Sequence, residues 1–157
     1  MVNNNYMNEK KYNVKAIAIE HLSHAIKLYL NDEYLPAITL AGAAEEILGK
    51  FVKKENKKNA LSSIIEFAKL YASAMNKKVE NDDQIINRSK KVRNKLKHFD
   101  GNKEEICFIP KLEAFLIISR AIENYHRLPY NKKLNYLPDN SLDELLNKFR
   151  LASTDVG

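Results

Sequence analysis

The sequence predicts an all-α, up-and-down bundle of about five helices followed by a short C-terminal helix. Three observations carry that prediction. Apolar residues recur at helical spacing in five long stretches. The 157 residues include only four Gly and four Pro, and several of these stand where a helix would start or stop. No stretch keeps the period-2 alternation of a half-buried strand.

Residues 1–9 read as a polar tail, residues 10–128 as the bundle, and residues 129–157 as an extension. The first helix is expected from about Lys10 to Asn31, with Val14, Ile17, Leu22, Ile26 and Tyr29 on one face. Pro36 suits the first turn of a second helix over about 34–54. Its broad apolar face holds Ile38, Ala41, Ala44, Leu48 and Phe51, and residues 41–44 (AGAA) allow close helix approach. A third helix is expected over about 60–77 through Leu61, Ile64, Ile65, Ala68, Tyr71 and Met75. The fourth opens near Asp82-Asp83, acids suited to a positive helix end. Its stripe is Ile85, Val92, Leu96 and Phe99, with Asp100-Gly101 as the stop. The fifth, over about 110–128, is entered through Pro110 and closed before Pro129. Ser141 to Glu144 resembles a capping box that opens a short helix over 141–150.

Composition narrows the class. A chain that is 45% hydrophobic and 29% charged fits one folded domain. Cys107, the single cysteine, cannot form an intramolecular disulfide and is expected to be a packed thiol in a reducing compartment. The N-terminus lacks an apolar signal segment, and the longest apolar run, AFLII at 114–118, is too short for a membrane span. A cytoplasmic protein with no membrane partner is expected. His21 and His24 stand three apart but lack a third ligand, so neither metal nor cofactor is expected.

Net charge is +6, and the excess is concentrated. From Arg88 to Lys97 there are six basic residues and no acid. Arg88, Lys90, Lys91, Lys95 and Lys97 form either a solvated lysine face or a surface for a polyanion backbone. The same helix ends in RNKLKH at 93–98. Arg93 offers a bidentate fork for phosphate oxygens. His98 is a candidate proton donor and acceptor, and Asn94, one turn before it, orients the ring or the substrate. Arg93 and His98 are separated by about 140° around an ideal helix. They converge only if the helix loosens or a second copy packs alongside. Such a pairing would also supply the second proton-handling group that metal-free RNA cleavage needs.

Arg-Asn, three residues and His at the end of a basic helix resemble the signature of the HEPN superfamily. The stretch YLPAITLAGAAEEILGK at 34–50 is similar to the alanine-rich, Glu-Glu-containing helix of HEPN-like proteins, including those of the AbiV kind. The resemblance covers about residues 10–128. It implies a helical bundle that homodimerises through its motif helices. In active members it implies a metal-independent endoribonuclease of toxin–antitoxin, phage-defence or RNA-processing systems. Arg93, Asn94 and His98 would then be catalytic, with RNA as substrate and an antitoxin protein among the partners. One departure stands out: position 100, where paired toxins often carry a modifiable tyrosine, is Asp.

Glu45 falls within the apolar arc of the second helix, so it must be paired. It is either a partly exposed glutamate bonded to a lysine or an acid that holds Arg93. The expected function is therefore the metal-independent endoribonuclease of a HEPN-like dimer; the leading rival is a non-catalytic HEPN-like module binding a nucleotide, RNA or partner protein, and the third reading is an unrelated helical protein whose basic helix contacts DNA. The helix at 141–150 either folds back on the bundle or docks on a partner.

Overall fold

The computed structural model describes residues 9–98, 101, 105–129 and 141–156. Among them are six α-helices and no strand: α1 (Val14–Leu30), α2 (Tyr34–Lys54), α3 (Ala60–Ala74), α4 (Asp82–Lys97), α5 (Pro110–Arg127) and α6 (Ser141–Ala152), the last followed by a 3-10 turn, Ser153–Val156. The chain is an all-α helical bundle, and no helix among the described residues is long and apolar enough to cross a membrane.

Capping chemistry sets the boundaries. The first helix begins at Val14 rather than Lys10 because the Asn13 side chain accepts the backbone N–H groups of Lys15 (2.9 Å) and Ala16 (3.2 Å). Asn81 and Gln84 close a reciprocal capping box at the start of α4. The third helix ends at Ala74, short of the expected 77. Asn76 turns left-handed there (φ 49°), and the Lys77 N–H returns to the Ala72 carbonyl at 2.8 Å. The fourth ends at Lys97, with His98 already extended (φ −135°, ψ 124°). Gly101 does have the left-handed backbone expected of it (φ 80°), whereas Phe99 and Asp100 lie outside the described residues.

The core is built on α2, which packs along α1 on one side and α5 on the other. Ile19, Leu22 and Ile26 of α1, Ile38 and Leu48 of α2, and Ile117 and Ile118 of α5 are fully enclosed. Each such side chain contributes about 1.5–3 kcal/mol when removed from water. The order is therefore not a plain succession of neighbours. α3 and α4 pack on each other and are attached at the side of the α1–α2–α5 core. The last helix folds back on the bundle through Leu142 and Phe149. The Phe149 ring meets Tyr29 edge-on at 5.1 Å and stacks on Phe115 at 5.7 Å.

Some expected positions differ. Val14, placed on the apolar face of the first helix, and Tyr71 and Met75, among the apolar residues of the third, are exposed. Cys107 is exposed rather than packed.

Candidate nucleic-acid interface and the charge cluster beneath it

The motif at 93–98 is divided between the inside and the outside of the molecule. Arg93 is only 5% exposed. Its stem runs over α2 at Gly42, so closely that a Cβ there would lie 2.2 Å from Arg93 Cδ. Glycine is what permits the approach. The guanidinium then donates from Nη1 to the Gly42 carbonyl and to Glu45 Oε2, both at 3.3 Å. On its other side, Nε and Nη2 lie 3.4 and 3.3 Å from the Asn94 side-chain oxygen.

Glu45 is 4% exposed, deep on the face predicted for it, and it does hold Arg93. Its other oxygen, Oε1, lies 3.5 Å from Arg120 Nε of α5, an ion pair without hydrogen-bond geometry. Arg120 donates from Nη2 to the Ser89 carbonyl of α4 at 3.2 Å. Glu46 approaches Arg93 at 3.8 Å from the surface side. Two arginines and two glutamates thus balance in charge where α2, α4 and α5 meet. A hydrogen bond from Lys50, at 3.0 Å, holds the Glu46 carboxyl below its usual range. Burial opposes that shift, and the charges of Lys50, Arg93 and Lys90 reinforce it.

Asn124 of α5 completes the joint. Its oxygen accepts the Ala60 N–H at 2.7 Å, and its amide donates to the Glu45 carbonyl at 3.1 Å. Arg120 and Asn124 were not among the residues singled out from the sequence. Their signal was present, since both fall four-apart along the same helical face as Ile117 and Ala121. Polar residues on so apolar a face must find partners.

The outward side of α4 is different. Lys91, Asn94, Lys97 and His98 are exposed, and Lys90 and Lys95 are half-buried. Arg88 is drawn aside by Glu80 at 2.6 Å. Lys90 borders a depression of about 140 Å³ whose walls include Lys50, Lys53 and Glu46, with Arg93 and Glu45 also lining it. The His98 N–H bonds the Asn94 carbonyl at 2.9 Å, which fixes the residue as the helix cap. So the structure brings Arg93, Asn94 and Glu45 together. His98 shares only the helix end with Asn94, and no contact joins it to Arg93 within one chain.

Elsewhere, His24 Nδ1 lies 2.9 Å from the Glu20 carbonyl. Among the described residues no group of three His, Cys, Asp or Glu side chains converges as a metal site. A groove of about 660 Å³ between α5 and α6, floored by Phe115, Ile122, Leu146 and Phe149, contains none of the motif.

Comparison with models of protein families, with curated proteins and with solved structures finds no match to this chain. Function must be argued from the basic helix, the charge cluster behind it and the resemblance at residues 93–98.

Proposed function

We propose that this protein is a HEPN-like RNA-binding module that lays the outer face of α4 along the RNA backbone. The observation that carries the reading is the division of the motif. Arg93 is committed inward to Glu45, while Lys91, Lys97 and His98 stand exposed on a helix with no acid between Arg88 and Lys97. In this reading Arg93 fixes the helix against α2, and the lysines neutralise phosphates. Each neutralised phosphate releases counterions, which makes affinity fall with salt.

Binding of a fluorescent single-stranded RNA, followed by anisotropy over a salt series, tests it. Affinity should fall steeply with salt, and Lys91→Ala and Lys97→Ala should each lower the log–log slope by about one. Affinity that is indifferent to salt, or unchanged in both variants, overturns the proposal. Preference for duplex DNA over RNA would favour the DNA reading instead.

A second reading, cleavage, is favoured by one observation: His98 is exposed at the helix end, one turn beyond Asn94. A homodimer joining two motif ends would supply the second proton-handling group, as the resemblance implies. In a toxin or defence system an antitoxin would restrain it. RNA cleavage in EDTA, lost in His98→Ala, supports this reading; intact RNA counts against it. His98→Ala is the informative variant because the residue is exposed. Arg93→Ala removes one side of a buried ion pair, so lost activity there would not separate chemistry from folding.

A further inference from the structure

The depression beside Lys90 lies where α2, the start of α3 and α4 meet. Glu46, Lys50 and Lys53 follow one another at intervals of four and three, so one face of α2 presents all three. On α4, Lys90 and Arg93 share a face at a spacing of three. Asn59 and Leu61, at the opening of α3, border the remaining side. Arg93 and Glu45 are enclosed, and they form the floor.

Four basic and two acidic side chains line this space: Lys50, Lys53, Lys90 and Arg93 against Glu45 and Glu46. Lys50 bonds Glu46 at 3.0 Å, and Arg93 pairs with Glu45 at 3.3 Å. Two positive charges are left over, those of Lys53 and Lys90. Neither has an ion-pair partner among the described residues, although the charge of Lys90 is felt at the Glu46 carboxyl. Two uncompensated cations on one small depression repel each other, and an anion seated between them removes the repulsion. The volume, about 140 Å³, is under half of the roughly 300 Å³ at which sites for whole small molecules begin. It admits a phosphate group but not a nucleotide.

We infer that the depression is a subsite for the terminal phosphate of an RNA strand, held by Lys53 and Lys90. Charge selects the end of the strand over its middle. An internal phosphodiester carries one negative charge, whereas a terminal phosphate carries close to two at neutral pH, the number that two spare lysines match. Shape agrees, because an internal phosphate needs a way out on both sides and this depression ends on the Arg93–Glu45 pair. A strand anchored there continues along the outer face of α4. The inference rests on the RNA-binding reading given above, and in Lys53 it names a binding residue outside the motif helix.

Fluorescence anisotropy with one internally labelled single-stranded RNA in three forms is the test: hydroxyl at both ends, a 5′-phosphate, or a 3′-phosphate. At least one phosphorylated form should bind the full chain about tenfold more tightly than the hydroxyl-ended form, as two added lysine–phosphate contacts would give. The form that gains identifies the end. The gain should vanish in Lys53→Ala and in Lys90→Ala, and Lys53→Arg should keep it. It should also persist in Lys54→Ala, whose side chain is exposed on the same helix outside the depression. Lys53 is exposed, so its variants should retain the helical circular dichroism of the unaltered protein. Hydroxyl-ended RNA that binds with steep salt dependence, with no gain from either phosphate, overturns this inference and leaves the α4 reading standing. A gain that survives Lys53→Ala, or disappears in Lys54→Ala, overturns it as well. If no form binds, both readings fall together.

Discussion

At Glu45 one buried carboxylate serves two arginines, and the physical consequence is asymmetric. Removing it leaves the Arg93 and Arg120 guanidinium groups enclosed, with Glu46 at 3.8 Å from Arg93 and the charge of Glu113 acting on Arg120. Breaking a buried pair from one side costs about 3–5 kcal/mol, far more than the pair's net contribution. Glu45→Ala should therefore lower stability by that amount, read as a shift in the urea midpoint. A loss under about 1 kcal/mol, the range of an exposed pair, would mean that water reaches the cluster. A second residue pair gives a pH signature. The Tyr34 hydroxyl donates to the Asp32 carboxylate, which pushes the phenol from 10.0 up to about 12. A raised pKa means that the folded chain favours the neutral phenol. The stabilisation is complete below pH 10 and disappears as pH rises through about 12. Burial raises Tyr29 and Tyr125 as well, so the signature in a spectrophotometric titration is the late-ionising phenol whose midpoint Asp32→Asn brings down.

At the scale of elements, much was legible because each of the five long helices carries its own apolar stripe. Asn13, Asn59 and Asn81 each accept a backbone N–H at a helix start. The expectation for Glu45 also held in one respect: a carboxylate on so apolar an arc had to be paired. What local pattern did not convey was how far along α3 the cover of the bundle would reach. Ile64, Ala68, Tyr71 and Met75 recur 4, 3 and 4 apart on one helical stripe, yet the first two are half-covered and the last two exposed. Nor did it convey that α2 would pack on α5 across the 55 residues between them, a pairing that depends on long-range contacts. The joint between those helices and α3 rests on Asn124, whose amide serves Ala60 and Glu45 together. Asn124→Ala strands the buried Ala60 N–H at the start of α3, at a cost of about 1–3 kcal/mol, and takes from the Glu45 carbonyl a bond additional to its helical one. Chemical denaturation should show a loss in that range, with the helix content of the folded state unchanged. An effect near zero would mean that neighbouring groups or water take over both bonds.

For the whole molecule, the uneven distribution of buried side chains predicts uneven dynamics. Nine residues of α2 are buried but only one of α3, and in α4 the enclosed residues are Ile85, Val92 and Arg93. An isolated helix of about 15 residues is marginal in water, so its persistence depends on what it packs against. α1, α2 and α5 enclose one another, whereas the α3–α4 pair is held through the Glu45 cluster, Asn124 and a few half-covered side chains. Opening that pair exposes little apolar surface, so it should open well below the free energy of global unfolding. Native-state hydrogen exchange should therefore protect the amides of α2 and α5 most strongly and those of α3 and α4 distinctly less. The difference should widen in Glu45→Ala, where the tie between α4 and the core is cut. Equal protection across the helices would mean that the bundle opens as one unit, and that the charge cluster does not set a boundary within it.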